Sequence, residues 1–430
     1  MLTLFLSVMS FLPARLTVDG PRLLEPDGKP VRLTGFNWQH GRTGDDPGGL
    51  MRRLAPNSTV ARLVGVQWGN THPLQHHPEK ECMTMVPPHY FNDRCFDDLD
   101  PWIRSATDAG LWVILAVRGE YAAGQLYKTE PGTVLFRNAT LRTMAYAMWQ
   151  HVASHYASFE RIAAYEILSE PRDKGVDAQT VREFYEGGCA AVQQTDPRTP
   201  CLVGAAPYYK LFRLGESTLL RNNTNVIYTF DYFNPDAFVF GNGALASGSA
   251  VTRRVDSELL PQSAPAAQQA FYRHRWHADG REDVGARGVF APPIPIYGST
   301  YPCSTLYYGW ADVCATWNVS SPDEHIPFDV SWHRHNLETF AAPLGALHHV
   351  PLFLNQFEVV HGVDAEAGRY DYIRDLLILT RSLNIGWAWW TWAGGSDDGW
   401  KHGSSEVVFH WPNGSMMVDT DVLDTMQPYF

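Results

Sequence analysis

Two glutamates that stand just past apolar, strand-like runs are the residues of this sequence with the clearest chemical use. Glu170 precedes Pro171, a residue that ends a strand and fixes the turn, and Glu358 follows the run Asn355-Gln356-Phe357. Two carboxyl groups that flank one bond can cleave a glycosidic linkage, one as the acid and the other as the nucleophile or base. This chemistry needs an architecture that brings two distant segments of the chain together.

Eight short apolar runs alternate with longer amphipathic stretches, a pattern typical of a parallel sheet with crossover helices. Eight strands close an α/β fold of the (β/α)8 TIM-barrel type, in which residues just past the strand ends line the catalytic mouth. Glu170 then ends strand four and Glu358 ends strand seven, across the mouth from each other. The predicted strands are Val31–Asn37, Thr59–Trp68, Leu111–Arg118, Ile162–Ser169, Cys201–Ala206, Asn225–Tyr232, Pro351–Phe357 and Ile385–Thr391. The predicted helices are Leu99–Ala109, Leu141–Tyr156, Gln179–Gln194, His333–Leu347 and Tyr370–Ser382.

The chain of 430 residues has 45% hydrophobic and 19% charged residues, which permits a large buried core. A (β/α)8 barrel with insertions reaches this length as one domain, so we predict a single domain over residues 15–430. The interval between the sixth and seventh strands is much longer than the others, and it makes residues 241–330 an insertion. Because this insertion follows the carboxyl end of a strand, we expect it to lie over the barrel mouth.

Six cysteines in three sequence-local pairs predict three short-loop disulfides and an oxidising compartment, with six free buried thiols as the alternative. Residues 1–14 contain an apolar run that resembles the hydrophobic region of a signal peptide and is too short to span a bilayer. We therefore predict a secreted glycoprotein. The cysteine pairs are Cys82/Cys95, Cys189/Cys201 and Cys303/Cys314, and the Asn-x-Ser/Thr sequons are at Asn57, Asn138, Asn222, Asn318 and Asn413.

The formal charge of −12 argues against nucleic acid or an anionic membrane as a partner, because phosphate binding needs clustered cations. Fifteen tryptophans favour a groove with aromatic faces instead. Like the first residues, the rest of the sequence contains no apolar segment of transmembrane length. We expect a monomer that binds a carbohydrate and needs no cofactor or metal. Four histidines do not form a predicted zinc site, because their spacing does not match that of zinc ligands: His40, His72, His76 and His77.

From about residue 16 onward, the order of motifs resembles glycoside hydrolase family 5, the cellulase family. The run that ends in Asn37-Trp38 is similar to the family's first strand. Arg62 is similar to the second-strand arginine that orients the nucleophile. The resemblance implies that Asn37, Trp38 and Arg62 belong to the substrate site.

Two further motifs carry the same resemblance. Ser169-Glu170-Pro171 resembles the family's Asn-Glu-Pro motif, which implies that Glu170 is the acid/base. Trp390 resembles the tryptophan after the eighth strand that forms the floor of a sugar subsite. We expect at least half of the other tryptophans of this run, namely Trp387, Trp389 and Trp392, to pack behind the sheet.

The mouth departs from the family pattern at three strands. Ser169 replaces an asparagine and still offers a hydroxyl to the sugar 2-hydroxyl. Arg118, followed by Glu120, stands at the third strand where a histidine is usual, and Asp231 replaces the histidine of a His-x-Tyr pair on the sixth strand. We expect all four side chains to contact substrate.

The departure on the seventh strand affects catalysis itself. Gln356 stands where the family has its nucleophilic glutamate, and an amide cannot be a carboxylate nucleophile. Glu358 has the same strand parity, and a local bulge would bring it to this task while Gln356 contacts the sugar. Another carboxylate is the alternative, namely Asp231, Glu120 or Glu406. The remaining possibility is that nothing replaces the nucleophile and the barrel only binds sugar.

The favoured hypothesis is therefore a retaining hydrolase of β-linked glycosidic bonds, with Glu170 as acid/base and Glu358 as nucleophile. Arg62 would keep the second carboxylate ionised, and the two carboxyl groups would lie about 5–5.5 Å apart. The alternative is a catalytically lapsed barrel that binds carbohydrate. A barrel of the aldolase type is disfavoured because no strand ends in a Schiff-base lysine and no phosphate-binding glycine pattern follows the last strands.

Overall fold

The computed structural model describes residues 12–39, 46–66, 82, 91–117, 133–171, 176–240, 295–307, 311–394, 405–410 and 416–430. Within these ranges, eight parallel strands close into a barrel and confirm the predicted (β/α)8 fold. Each strand overlaps one of the predicted runs. The barrel strands are β1 (Thr34–Gln39), β2 (Val60–Val66), β3 (Trp112–Val117), β4 (Ile162–Glu166), β5 (Cys201–Gly204), β6 (Val226–Tyr232), β7 (Leu352–Phe357) and β8 (Gly386–Trp389).

Helices connect the strands on the outside of the barrel, and all five predicted helices are present. In the described ranges, no helix is long and apolar enough to cross a membrane. The α-helices are α1 (Pro47–Leu54), α2 (Arg94–Asp108), α3 (Thr133–Arg137), α4 (Ala139–Tyr156), α5 (Ala178–Gln193), α6 (Asp236–Val239), α7 (Cys303–Leu306), α8 (Val330–Asn336), α9 (Ala342–His348), α10 (Arg369–Ser382) and α11 (Thr420–Met426). Shorter helical turns are Leu211–Arg213, Glu216–Thr218, Ala311–Trp317 and Gln427–Tyr429, and a π-helical turn, Leu337–Ala341, joins α8 to α9.

Side chains alternate between the two faces of each strand and so divide the core into two layers. The outer layer fills the space between strands and helices; Trp38, Tyr165 and Trp387 belong to it. The inner layer fills the barrel with residues such as Ile114 and Phe353. The inner layer is apolar only in the lower part of the barrel, and polar side chains replace it toward the carboxyl ends of the strands.

A small three-stranded sheet packs against the lower end of the inner layer. Its strands are Thr17–Asp19, Arg22–Leu24 and Pro30–Val31. Leu23 joins the inner cluster, and the Trp112 indole N–H donates to Glu25 Oε1 at 3.2 Å. The sheet closes the end of the barrel opposite the mouth.

The three predicted disulfides are all present: Cys82–Cys95, Cys189–Cys201 and Cys303–Cys314. The last of them lies in the insertion after β6, beside the antiparallel pair Ser299–Pro302 and His325–Phe328. A further sheet follows β8, with strands Ala393–Gly394, Val408–His410 and Met416–Val418.

The described part of the insertion packs against the outer helices. The Tyr297 hydroxyl donates to Asp375 of α10 at 3.1 Å, and its ring lies 5.6 Å from that of Tyr372. Residues 241–294, the first part of the predicted insertion, and residues 1–11 of the predicted signal peptide lie outside the described residues.

Candidate active site

A buried ion pair forms the polar layer beneath the barrel mouth. The Arg62 guanidinium donates to both carboxylate oxygens of Glu166, from Nε at 2.6 Å and from Nη2 at 2.7 Å. It also donates to Asn37 Oδ1 at 2.6 Å and to Ser169 Oγ at 2.8 Å. Both charged side chains are completely buried. In this bidentate pair, the positive charge on β2 and the negative charge on β4 compensate each other in the barrel interior.

This pair corrects the sequence prediction for Arg62. Its partner is not Glu170 or a second catalytic carboxylate but Glu166, a residue that the sequence reasoning missed. The signal was present, since Glu166 stands inside an apolar run and a buried carboxylate requires a cation. The charge of Arg62 is therefore satisfied within the barrel wall.

The Asn37 side chain is buried in the barrel wall and links three strands by hydrogen bonds. Its amide donates to the backbone carbonyls of Asn355 at 3.0 Å, Ala388 at 3.0 Å and Trp389 at 3.2 Å. Together with the bond from Arg62, these contacts use its donors and its acceptor. These hydrogen bonds hold the Asn37 side chain within the barrel wall.

Glu170 lies four residues after the end of β4, in a strained backbone conformation. Its φ is +46°, in the left-handed region that non-glycine residues rarely adopt, and Pro171 follows it. Such a conformation costs on the order of 1–2 kcal/mol, and strain of this kind is concentrated at functional positions. The side chain is half-buried. The backbone thus holds the Glu170 carboxyl at the mouth at the expense of stability.

Asp231 is the last residue of β6 whose side chain lies on the inner side of the barrel. It is buried and pairs in the ladder with Gln356 of β7. Its carboxyl faces that of Glu170. Burial, and then the negative charge of Glu170, raise the pKa of Asp231 well above its ordinary value.

A bulge distorts the seventh strand at the level of the site. Leu354 pairs with Phe230 and Gln356 pairs with Asp231, so Asn355 is an extra residue on β7. The Asn355 amide donates to Glu166 Oε1 at 3.2 Å. The bulge therefore turns both Asn355 and Gln356 away from the outer layer, and it lies before Gln356 rather than between Gln356 and Glu358.

Glu358 directly follows β7 and is buried. The Ser405 hydroxyl donates to Glu358 Oε2 and lies 2.6 Å from the carbonyl oxygen of Trp390. The backbone carbonyl of Ser405 in turn accepts from the Trp389 indole at 2.8 Å. These contacts fix Glu358 beside the end of β8. Ser405 has no counterpart in the sequence prediction, because nothing in its local motif marks it.

The tryptophans divide into core and mouth. Trp387, Trp389 and Trp392 are fully buried in the outer layer, so all three pack behind the sheet, in agreement with the prediction that at least half of them do so. Trp38 lies in the same layer without exposed surface, which favours a structural role over sugar contact. Trp390 is half-buried at the end of β8 and remains the candidate for sugar stacking.

The remaining predicted residues either have few contacts at the site or lie outside the described ranges. Glu406, one candidate for the second carboxylate, is half-buried, and its Oε2 has no hydrogen-bond partner among the described residues. No three His, Cys, Asp or Glu side chains of the described ranges are grouped to hold a metal ion. The predicted residues outside those ranges are Arg118, Glu120, His40, His72, His76 and His77.

The sequence profile of the cellulase family, glycosyl hydrolase family 5, matches residues 26–269. The chain belongs to glycosyl hydrolase family 5. A stretch of 99 residues is 31% identical to Endoglucanase 3 of Fibrobacter succinogenes and covers 22% of this chain. The chain thus spans only 15% of the length of that relative.

Solved structures support the same fold for this family 5 chain. An endoglucanase superposes with a TM-score of 0.56 at 12% identity, over 92% of this chain and 97% of that one. Cel5A of Thermotoga maritima, solved in complex with cellobiose, gives a TM-score of 0.56 at 14% identity over the same shares. The cellulose synthase subunit Z of Clostridioides difficile gives 0.55 at 11% identity over 91% of this chain and 99% of that one.

Proposed function

We propose that this family 5 protein hydrolyses β-linked glycosidic bonds of a polysaccharide or glycoconjugate by a retaining mechanism. The observation that carries the proposal is the placement of two glutamates at the ends of opposite strand segments, Glu170 after β4 and Glu358 after β7. The strained backbone of Glu170 adds support, because such strain persists where function requires it.

The proposed steps follow from these positions. Glu170 protonates the leaving oxygen while Glu358 attacks the anomeric carbon and forms a glycosyl-enzyme. Water, deprotonated by Glu170, then releases the sugar. The Ser405 hydroxyl orients the Glu358 carboxyl, while Trp390, Ser169 and Gln356 contact the sugar.

The test of this assignment compares four proteins on a panel of β-linked glucans, mannans and glycolipids. Wild type is compared with Glu170→Gln, Glu358→Gln and Gln356→Glu. We expect both carboxamide variants to lose at least about 100-fold in kcat, the scale of general acid–base catalysis. NMR of the first product should show retained anomeric configuration. Full activity of Glu358→Gln would remove Glu358 from the mechanism.

Two observations support a second candidate, a carbohydrate-binding barrel without turnover. Gln356 stands opposite Asp231 at the position where the family has its nucleophile, and Arg62 is bound to Glu166 rather than to a carboxylate at the mouth. This candidate predicts glycan binding that survives Glu170→Gln and no turnover by wild type. Hydrolysis gained by Gln356→Glu would support it, whereas hydrolysis lost in Glu170→Gln would exclude it.

We also propose that the protein is a secreted monomer that acts outside the cell. Three disulfides fit an oxidising compartment. Three of the sequon asparagines, Asn57, Asn222 and Asn318, are exposed and accessible to glycosylation, whereas Asn138 caps α4.

A further inference from the structure

Asp231 is a buried carboxyl for which the proposed reaction has no role. It is 1% exposed and lies at the level of the ion pair between Arg62 and Glu166. Neither of its carboxyl oxygens accepts a hydrogen bond from an N–H or O–H group of the described residues. A buried ionised carboxylate without donors is strongly disfavoured, so this side chain requires a proton.

A single turn holds Asp231 and the Glu170 segment together. The carbonyl of Tyr209 accepts from the backbone N–H of Asp231 at 2.7 Å. The backbone N–H of Tyr208 donates to the carbonyl of Pro171 at 2.8 Å, and the Tyr209 hydroxyl donates to the carbonyl of Leu168. The turn after β5 thus binds residues on both sides of Glu170 as well as the end of β6. The opposition of the two carboxyl groups is therefore built into the backbone.

The charges around Asp231 leave Glu170 as its principal electrostatic partner. Arg62 lies near enough to favour an ionised Asp231, but its guanidinium is bound in bidentate fashion to Glu166. The two charges of that pair largely cancel at the position of Asp231. The titratable or charged groups around Asp231 are Arg62 from β2, Glu166 from β4, Glu170 after β4 and Tyr209 after β5, and the backbone of Lys210 pairs with that of Asp231.

We propose that Asp231 is a positioning residue for Glu170, and that the two carboxyl groups share one proton, which resides on Asp231 while the site is empty. The proton resides there because Asp231 is buried and Glu170 is half-exposed, so that the negative charge is better solvated on Glu170. This inference rests on the proposed acid/base role of Glu170 and adds to it the source of its proton.

Over one cycle of the proposed reaction, the pair of carboxyl groups gives up one proton and takes up one proton. The pair begins with one proton, which passes from Asp231 to Glu170 and then to the leaving oxygen as the glycosidic C–O bond breaks and the bond to Glu358 forms. Both carboxyl groups are then ionised and repel each other. This repulsion favours the uptake of one proton from the attacking water as the glycosyl-enzyme is hydrolysed. The pair returns to its starting state.

The first test measures unfolding by urea as a function of pH and needs no substrate. Because folding raises the pKa of Asp231, the folded state binds more protons than the unfolded state above about pH 4, and wild type loses stability as pH rises. Asp231→Asn cannot ionise. The unfolding constant of wild type divided by that of Asp231→Asn should therefore rise about tenfold per pH unit until Asp231 ionises in the folded state.

The Glu170→Gln background tests the pairing itself. Removing the negative charge of Glu170 should make this rise end at a lower pH. Asp424→Asn, which removes an exposed carboxyl on α11, is the matched control. The unfolding constant of wild type divided by that of Asp424→Asn should stay constant with pH. A constant ratio for Asp231→Asn, or a rise that ends at the same pH with and without Glu170, would overturn the proposal.

A second measurement on wild type remains informative if Asp231→Asn does not fold. Infrared spectra of the folded protein, recorded above the pH at which ordinary aspartates have ionised, should show the carbonyl stretch of a protonated carboxylic acid, and this band should move in Glu170→Gln. Absence of the band, or a band that does not respond to Glu170→Gln, would contradict proton sharing.

Where turnover is found, the pH profile adds a catalytic readout. Asp231→Asn should move the basic limb of kcat/KM to lower pH, because the variant removes a carboxyl neighbour that can become negative. A merely structural role of Asp231 would lower kcat/KM without moving the limb. Absence of turnover in wild type would contradict the proposed hydrolysis and leave the unfolding and infrared results to decide on proton sharing.

Discussion

At the scale of single residues, Arg62 shows how burial decides between competing partners. A carboxylate at the mouth and one in the barrel wall are both available, and the bidentate partner is Glu166. Both side chains are completely buried there, so the pair is screened from water and each charge depends on the other. Asn37 and Ser169 accept two further hydrogen bonds from the guanidinium.

Breaking this pair should cost far more than removing an exposed one. Arg62→Met leaves the Glu166 charge buried without a cation, and we expect a loss of about 3–5 kcal/mol in the free energy of unfolding by urea. Arg374 pairs with Asp371 on the surface of α10. Arg374→Met is therefore the control and should cost less than about 1 kcal/mol.

A double variant separates the loss of the pair from the cost of the orphaned charge. Arg62→Met combined with Glu166→Leu should recover most of the lost stability, because two apolar side chains replace two charges of similar volume. Equal losses in the single and double variants would show that the pair stabilises the barrel by itself.

At the scale of elements, a buried polar network joins strand β6 to helix α8. Asn336 donates to the Tyr232 hydroxyl at 2.9 Å, which in turn lies 2.9 Å from His333 Nδ1. Because the hydroxyl accepts from Asn336, its proton goes to Nδ1, and His333 is held as the neutral tautomer. Tyr307 of the insertion donates to Asn336 at 2.5 Å and ties the insertion to the same helix.

This network predicts an acid-sensitive junction. Burial lowers the pKa of His333 to about 3, so the folded state resists protonation that the unfolded chain accepts below about pH 6.5. The free energy of unfolding should therefore fall as pH drops from about 6.5 to about 3, at roughly 1.4 kcal/mol per unit from this group. His333→Gln, compared with wild type by urea unfolding at several pH values, should remove this part of the slope.

His325→Gln provides the control for the junction. His325 is exposed on the outer strand of the insertion, and its removal should leave the pH slope unchanged. If wild type and His333→Gln lose stability in parallel below pH 6.5, the network does not hold His333 neutral.

At the scale of the whole molecule, three disulfides link segments that lie close together in sequence. Cys189–Cys201 joins α5 to β5 and so links the helical layer to the barrel. A disulfide that closes a loop of 11–13 residues restricts the unfolded chain, with a typical effect of about 2–4 kcal/mol.

Removal of that bond should lower the thermal midpoint measurably. We expect Cys189→Ala with Cys201→Ala to cost about 2–4 kcal/mol, measured by thermal and urea unfolding. Reductant should lower the midpoint of wild type more than that of the double variant. A midpoint that is independent of reductant in both proteins would contradict a stabilising role for the disulfides.

The fold and one half of the site could be predicted because their signals are local. The eight strands follow from short-range periodicity, and the disulfides follow from cysteines close in sequence. Glu170 was predicted because it directly follows an apolar, strand-like run and precedes Pro171. The left-handed backbone of Glu170 was not predictable, since the turn of Tyr208 and Tyr209 that binds the segment belongs to another strand's loop.

By itself, the sequence determined which segments are strands, which cysteines pair and which residues stand at the strand ends. Only the tertiary structure decided which side chains meet. The pairing of Arg62 with Glu166, the bulge at Asn355 and the opposition of Asp231 and Glu170 all depend on the register between strands. Register in a closed barrel is a property of the whole sheet, because every strand must match two neighbours at once.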